Sequence, residues 1–102
     1  MATSTIKTPM RIDYSSGISV AASTDISITT NKVLIGTLLS NQTAYARVVV
    51  DGNTIVEARG TDSSWNIVFP VFIPLYPGQT LRLSPSDTHA SFQCKLYDVI
   101  GE

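Results

Sequence analysis

The dipeptide Asp51-Gly52 stands between two segments rich in β-branched residues, Ala44–Val50 and Asn53–Ala58. Asp-Gly readily supplies the positive φ angles of a tight turn between two antiparallel strands. The sequence therefore predicts a β-hairpin at the middle of the chain, and the rest of the fold has to accommodate antiparallel strands.

Alternation of apolar and polar residues continues outside this hairpin, whereas no segment shows the 3.6-residue periodicity of an amphipathic helix. Together the segments predict about eight strands, with turn residues at the spacing typical of a β-sandwich or barrel. The further strand segments are Ile18–Val20, Ile26–Ile28, Val33–Leu39, Trp65–Ile73, Thr80–Ser84 and Phe92–Leu96. Gly36 interrupts an apolar run that we expect to be buried on both faces, and it indicates a bulge or a close approach of two backbones.

A chain of 102 residues is expected to form one domain, near the lower limit of what folds alone. Residues 1–10, rich in Thr and Ser, predict a loose N-terminal arm that is ordered only where something holds it. Residues 11–102 predict a single β-sandwich domain. Because a domain of this size buries a modest share of its surface, self-association is a natural source of additional burial.

The stretch Phe69–Leu83 combines large apolar side chains with three prolines and a glycine. Proline cannot donate to a strand ladder, so Pro70 and Pro74 place their strand at a sheet edge or at a bend between sheets. Pro77-Gly78 predicts a tight turn. The apolar residues left at this edge or corner are either covered by a partner or protected by proline against edge-to-edge pairing.

The low charge of the chain limits its partners. Charged residues make up 15% of the sequence, the formal net charge is -1, and the seven Lys and Arg residues are scattered. Nucleic-acid binding requires a clustered basic surface, so no nucleic-acid partner is expected. No stretch has the roughly 18 apolar residues of a membrane span, and the N-terminal residues lack the apolar run of a signal peptide, so no membrane partner is expected either.

The sequence offers no catalytic constellation. His89 is the only histidine and follows Asp87 in a loop, but no nucleophile-elbow motif accompanies the pair, and a triad needs several positioned groups. One histidine and one cysteine are too few ligands for a zinc site within one subunit. Cys94 alternates with Phe92 and Leu96, which predicts a buried, unreactive thiol. We therefore expect no enzymatic activity, no cofactor, no metal and no small-molecule ligand.

The order of features from the proline-rich stretch onwards is similar to that of a known group of proteins. A strand leads into Phe69–Gln79, and the short strand Leu81–Leu83 and the closing strand Phe92–Tyr97 follow. This pattern resembles the C-terminal half of trimeric jelly-roll domains in phage head-decoration proteins, phage fibre tips and tumour-necrosis-factor-like modules. The resemblance covers residues 33–97, and Gln79 stands where such turns often carry Asp. It implies a threefold-symmetric β-sandwich on a virus particle.

Pattern and resemblance together predict an all-β, antiparallel, jelly-roll-like sandwich that serves as a non-enzymatic virion structural protein. It is expected to form a homotrimer, to decorate or stabilise the capsid by contacting the major capsid protein or another virion protein, and to be made in the host cytoplasm. The residues expected at the oligomer interface are Trp65, Phe69, Val71, Phe72, Ile73, Leu75 and Tyr76. The arm residues expected to contact the capsid are Thr3, Thr5, Ile6, Lys7 and Pro9.

A second hypothesis is a receptor- or glycan-binding tip of a tail fibre. Its contact residues would lie in exposed loops, with Arg59 and Asp62 in one loop and Asp87 and His89 in another. Aromatic rings stack on sugars, so a sugar platform is considered alongside the preferred explanation, which is core and interface packing. The aromatic candidates are Tyr45, Trp65, Tyr76 and Tyr97.

Overall fold

The computed structural model describes residues 11–60 and 67–100, which form eight β-strands and no helix. The strands are β1 (Arg11–Ser19), β2 (Ile26–Ser27), β3 (Lys32–Ser40), β4 (Tyr45–Val50), β5 (Asn53–Arg59), β6 (Ile67–Leu75), β7 (Thr80–Pro85) and β8 (Ala90–Ile100). Accordingly, this part of the chain holds no helix long and apolar enough to span a membrane. The N-terminal arm predicted from the sequence lies outside the described residues, as do Trp65 and Asp62.

The strands form two antiparallel four-stranded sheets. Sheet A has the order β1-β8-β3-β6, and sheet B has the order β2-β7-β4-β5. Four of the pairings join β1 to β8, β2 to β7, β3 to β6 and β4 to β5, so the chain follows one long hairpin wound into two layers. This is the eight-stranded jelly-roll arrangement. The expected all-β, antiparallel, jelly-roll-like sandwich of about eight strands is confirmed.

Asp51 and Gly52 form the predicted two-residue turn at the tip of that long hairpin. Val50 pairs with Asn53 across the turn, and the φ angles are 52° at Asp51 and 80° at Gly52. These angles fit a type I′ turn, whose twist matches that of the flanking strands. The Asp51 side chain also accepts a hydrogen bond from the Thr80 N–H at 2.9 Å, which ties the hairpin to β7.

The core lies between the two sheets and follows the two-residue period of the strands. In sheet B, Val48 and Val50 of β4 face inwards, as do Leu81 and Leu83 of β7. Sheet A contributes the buried side chains of Leu34, Leu38, Val71, Leu75, Cys94 and Leu96. Burying a large apolar side chain contributes about 1.5–3 kcal/mol, so this layer is the main source of stability.

Gly36 lies where two backbones approach closely. A Cβ at this position would collide with the backbone of Gln93 and Cys94 on the adjacent strand β8. The register of β3 is continuous with both β8 and β6, so the close approach occurs without a bulge. A bulge occurs instead in β5, where Ile55 is skipped in the pairing with β4.

β6 is an edge strand of sheet A, which explains its prolines. Pro70 lies opposite Thr37 and Pro74 opposite Val33 of β3, and no other described strand pairs with β6. Alternate residues of a strand bond to opposite sides, so both proline nitrogens lie on the same side of β6. The register between β6 and β3 is continuous. We therefore infer that the proline nitrogens face the free edge, where a missing N–H removes no hydrogen bond from the ladder to β3. Of the two positions that the prolines predict, a sheet edge or a bend between sheets, the edge is the one observed.

The prolines are followed by the predicted Pro77-Gly78 turn. Gly78 has a φ angle of 94°, and the Gln79 N–H donates to the Tyr76 carbonyl at 3.2 Å. Proline at the second position of a turn, followed by a residue with positive φ at the third position, is typical of a type II turn. The corner is shorter than expected, because β6 continues to Leu75 instead of ending at Ile73.

The strands at the two ends of the described chain are longer than the sequence pattern indicates. β1 begins at Arg11, well before the first predicted strand residue, Ile18. Its pairing with β8 shifts register between Asp13 and Ile18. Such an irregularity interrupts the two-residue alternation by which a strand is recognised in a sequence, so this strand is only partly visible there.

Candidate functional site

Apolar side chains cover much of the outer face of sheet A. β3, β6 and β8 place alternate residues on this face, and the polar residues among them are Thr37, Ser91, Gln93 and Lys95. We call the apolar members the outer apolar face: Val33, Ile35, Leu39, Val68, Pro70, Phe72, Pro74, Tyr97 and Val99. An exposed apolar patch of this kind is typical of a site that contacts another molecule.

The β6 edge is the most accessible part of the outer apolar face. Val68 is 60% exposed, Phe72 is 63% exposed and Tyr76, directly after the strand, is 57% exposed. Phe69 is also exposed, although it shares the inward side of β6. Phe69, Phe72 and Tyr76 are therefore accessible to a partner, and their role in an oligomer interface stays a prediction.

Val71 and Leu75 belong to the sandwich core, contrary to the expectation that they contact a partner. Leu75 is 1% exposed, and Val71 is buried as well. Because side chains alternate along a strand, the residues on either side of Phe72 point away from it and into the sandwich. Ile73 is half-buried and packs against the same core. β6 therefore offers fewer apolar side chains to a partner than the length of its apolar run suggests.

Tyr14 and Tyr97 extend the outer apolar face to β1. Their rings meet edge to face, with centroids 5.6 Å apart and planes inclined at 67°. Gly17 lies against Tyr97, because a Cβ at Gly17 would stand 2.6 Å from Tyr97 Cε1. Edge-to-face pairs of this kind contribute about 0.5–1.5 kcal/mol beyond burial, so the pair holds Tyr97 in place.

Two depressions indent this side of sheet A. The larger has a volume of about 510 Å³ and lies beside the end of β1, with Ile35, Gly36 and Tyr97 in its lining. The smaller has a volume of about 250 Å³ and lies near the start of β1, with Val33 and Phe72 in its lining.

The outer face of sheet B is charged, in contrast to that of sheet A. Arg47 donates to Glu57 at 2.6 Å, and Arg59 donates to the other oxygen of the same carboxylate at 3.2 Å. The hydrogen bond from Arg47 lowers the pKa of Glu57 below its usual value. Arg82 pairs with Asp25 at 3.0 Å. Exposed ion pairs of this kind suit contact with water and contribute little to stability.

Tyr45 brings the two loops assigned to glycan contact to one end of the sandwich. It pairs with Arg59, whose guanidinium carbon lies 5.0 Å from the Tyr45 ring centroid. The Tyr45 N–H donates to Ser86 Oγ at 2.8 Å, and the Ser86 N–H donates to the Tyr45 carbonyl at 2.9 Å. Arg59 and the exposed Asp87–His89 loop therefore flank the same residue.

The three described aromatic residues considered for a sugar platform do not all share a face. Tyr45 lies on the outer face of sheet B, with the Arg47 guanidinium carbon 3.8 Å from its ring centroid. Tyr76 and Tyr97 lie on the side of sheet A. One sugar cannot stack on Tyr45 and Tyr97 together, so a platform that combines them is excluded.

The Asp87–His89 contact is a local feature of an exposed loop. The Asp87 carboxylate accepts a hydrogen bond from the His89 N–H at 2.7 Å and lies 3.1 Å from His89 Nδ1. The neighbouring Ser86 hydroxyl is engaged with the Tyr45 backbone. Within residues 11–60 and 67–100, no three His, Cys, Asp or Glu side chains are grouped closely enough to hold a metal ion.

Cys94 is buried within the sandwich, as its alternation with Phe92 and Leu96 predicts. Its Sγ lies 3.8 Å from the Thr37 carbonyl oxygen. Burial raises the pKa of the Cys94 thiol above its ordinary value. Since the thiolate is the reactive form, low reactivity is the expected consequence.

Sequence reasoning identified the β6 part of the outer apolar face and missed the parts on β3 and β1. The run Val33–Leu39 was expected to be buried on both faces, whereas Ile35 and Leu39 are only half-buried on the outer side. An apolar run on a strand of a two-layer sandwich is itself a signal of a contact surface, because no third layer covers it. Tyr14 gave no such signal, since it lies in the irregular part of β1.

Comparison of the chain with protein-family models, with curated proteins and with solved structures finds no match. Function therefore has to be inferred from the geometry of the molecule and from the resemblance at Phe69–Gln79.

Proposed function

We propose that this protein is a non-enzymatic structural protein of a phage particle, which self-associates through the outer apolar face and decorates the capsid as a homotrimer. The observation that carries the proposal is the contrast between an apolar outer face on sheet A and a charged one on sheet B. A sandwich with two such faces gains from burying the first and leaving the second in water.

The prolines at the free edge of β6 disfavour pairing with a strand of another subunit. They thereby favour association through the outer apolar face. Pro70 and Pro74 remove two donors from the edge, so a strand added there would lack partners at both positions. Meanwhile the side chain of Phe72 remains free to pack against a neighbour. This combination disfavours open-ended growth and supports a closed oligomer.

The free energy gained from burial, compared with the cost of association, indicates that the interface extends beyond the β6 edge. Full burial of Val68, Phe72 and Tyr76 would contribute roughly 5–9 kcal/mol. Association costs about 4–15 kcal/mol in translational and rotational freedom. Further burial, which Ile35 and Leu39 on β3 can supply, is therefore needed for a stable oligomer.

The virion assignment draws on two features. The jelly-roll strand order is one that viral capsid domains and lectin domains use. The stretch Phe69–Gln79 resembles the corresponding part of trimeric phage proteins. Fold alone does not fix function, so the resemblance supplies the choice of a capsid-decorating role, in which Thr3, Thr5, Ile6, Lys7 and Pro9 of the arm contact the capsid.

Two measurements test the proposal. Light scattering of the purified protein at micromolar concentration is expected to give three times the subunit mass of 11.0 kDa. Co-sedimentation with particles of the virus that encodes the chain is expected to show binding. A strict monomer that fails to bind particles overturns the proposal, whereas a monomer that binds them overturns the trimer alone.

A second candidate function, a glycan- or receptor-binding tip, is supported by the end of the sandwich around Tyr45. There the Arg59 guanidinium lies near the Tyr45 ring, and Ser86, which precedes the polar loop Asp87–His89, is bonded to the Tyr45 backbone. An aromatic ring with polar neighbours suits a sugar. A glycan array and a cell-binding assay with the folded oligomer test it. Binding that is lost on Tyr45→Ala supports this function, and absence of binding refutes it.

A further inference from the structure

A groove near the start of β1 crosses the outer face of sheet A. It has a volume of about 250 Å³ and runs from Arg11 on β1, over Val99 on β8 and Val33 on β3, to Phe72 and Tyr76 on β6. Val33 points outwards but is only 2% exposed, so it forms the floor of the groove. We call this feature the β1–β6 groove.

The rim of the β1–β6 groove favours an apolar occupant. Lys32, which also lines the groove, is paired with Asp98 at 2.5 Å, so its charge is already compensated. Most of the remaining lining is apolar, with the ring of Pro74 between aromatic and aliphatic side chains, and Arg11 and Asn31 are its polar members. The apolar part of this surface gains from the burial of apolar groups.

The chain enters the described domain at one end of this groove. Arg11 is the first described residue and lines the groove. β1 and β6 are three strand spacings apart in the order β1-β8-β3-β6. Three spacings amount to about 14 Å, and five extended residues span about 16 Å. The five residues before Arg11, Ile6–Met10, therefore have the length needed to reach from β1 to β6.

The sequence of these five residues alternates in a way that suits an extended segment on an apolar surface. Ile6, Thr8 and Met10 fall on one side of such a segment, and Lys7 and Pro9 fall on the other. The side with Ile6 and Met10 is apolar at both ends, and the opposite side carries the charge. A segment that crosses a sheet forms no ladder with it, so the missing N–H of Pro9 costs nothing.

We propose that Ile6–Met10 bind in the β1–β6 groove of their own chain, with Met10 beside Val99 and Ile6 against Phe72 and Tyr76. The segment then covers one end of the outer apolar face and leads the residues before it, including Thr3 and Thr5, to the β6 edge. The contact lies within a single chain. It buries Ile6, which is then not available to the capsid, and it leaves Thr3, Thr5 and the outward side with Lys7 and Pro9 free for that role.

Disulfide trapping tests the contact directly. The pair Ile6→Cys and Tyr76→Cys is compared with a control pair, Ile6→Cys and Thr54→Cys, whose second cysteine is exposed on the outer face of sheet B. Two cysteines bridge only when their Cα atoms come within about 7 Å. After mild oxidation of dilute protein, we expect the first pair to form an intrachain disulfide at least about tenfold faster than the control pair.

Peptide mass mapping and non-reducing gels distinguish the outcomes of this experiment. A disulfide between two chains overturns the proposal, because it places the segment on a neighbour. Equal rates for the two pairs also overturn it, because they show no preference for the groove. A fast intrachain disulfide to Tyr76→Cys supports it.

Trypsin cleavage after Lys7 gives an independent readout in a chain without added cysteines. Cleavage of a bound segment follows the fraction of time it is released. Ile6→Ser removes the apolar anchor and is expected to accelerate cleavage about tenfold. The matched control, Thr5→Ser, lies before the proposed segment and is expected to leave the rate unchanged. Equal cleavage rates in Ile6→Ser and the unaltered chain overturn the proposal.

Light scattering on the same variants separates this contact from self-association. If the oligomer persists but the intrachain disulfide does not form, the groove assignment alone is overturned. If the disulfide forms in a protein that is monomeric, the groove assignment stands and the proposed assembly is overturned.

Discussion

Ile35 of β3 and Phe72 of β6 lie opposite each other in one antiparallel strand pair, and Phe72 extends into solvent from that pair. Replacing Phe72 with Glu is expected to weaken subunit association at least about tenfold, because a carboxylate would lose its hydration in the contact. The free energy of unfolding of the subunit is expected to change by about 0.5 kcal/mol or less. Light scattering over a dilution series and urea denaturation measure the two quantities.

A matched control for Phe72→Glu is Thr54→Glu, which adds the same charge to the outer face of sheet B. It is expected to leave both association and unfolding unchanged. If Phe72→Glu unfolds the subunit, or if it leaves the oligomer intact, Phe72 is not a contact residue.

Leu75→Ala is expected to act on folding instead. The Leu75 side chain is part of the core, and removing it leaves a cavity that costs about 2–5 kcal/mol of unfolding free energy. Denaturant unfolding of the variant, with Phe72→Ala as the exposed comparison on the same strand, measures the difference. Equal losses in the two variants would show that the alternation along β6 does not separate core from surface.

The double change Pro70→Thr and Pro74→Thr is expected to promote aggregation. It restores two N–H donors to the free edge of β6, which then offers a nearly complete ladder to another chain. Turbidity and thioflavin fluorescence at increasing protein concentration measure the effect. Pro77→Ala is the control, because Pro77 lies in the turn after the strand. Aggregation that matches the control would mean that other features protect this edge.

Sequence reasoning recovered the elements whose signals are local. Asp51-Gly52 predicted its turn, and Pro70 and Pro74 restricted their strand to an edge or a bend, because each prediction depends on the backbone chemistry of those residues alone. The assignment of Val71 and Leu75 failed for a different reason. An apolar run does not reveal which alternate residues face the core until the second sheet is in place.

The outer apolar face could be predicted only in part. Its β6 portion is visible as a proline-rich apolar stretch, whereas its width depends on β8 and β3 lying beside β6, which is a matter of topology. Pairings between segments so distant in the chain leave no local trace in the sequence. The Tyr14–Tyr97 contact is an example, since the two residues lie on strands from opposite ends of the described chain.

Gly36→Ala is expected to destabilise the subunit by more than about 3 kcal/mol. The added methyl group would meet the backbone of β8, which cannot move without disturbing the centre of sheet A. Gly17→Ala is the comparison, because its methyl group would meet only the Tyr97 ring, which can shift at a cost of about 1–3 kcal/mol. Thermal unfolding of both variants tests whether Gly36→Ala loses more stability than Gly17→Ala. A larger loss of stability in Gly17→Ala would contradict the prediction.

Cys94 is expected to react with a thiol reagent at pH 8 far more slowly in the folded protein than in guanidinium chloride. Its pKa is raised by burial, so the protonated form is favoured in the fold. The contribution of the neutral, buried thiol to the free energy of unfolding is fully present below the ordinary thiol pKa of 9.0. It is lost as the pH rises through the higher pKa of the folded protein. Absorbance kinetics with an aromatic disulfide measure the rates, and equal rates would show that the thiol is accessible.

The pairing of β1 with β8 places Arg11 opposite Ile100, so the last of the described strands to be synthesised completes a sheet begun by the first of them. Only the turn at Asp51-Gly52 closes a ladder between strands that are immediate neighbours in the chain. The other ladders have to close long loops, which slows folding to the range of milliseconds to seconds that is typical of sandwiches. During synthesis, β3 therefore stays without one of its two neighbours until β8 emerges, and this interval is when the nascent chain depends most on chaperones.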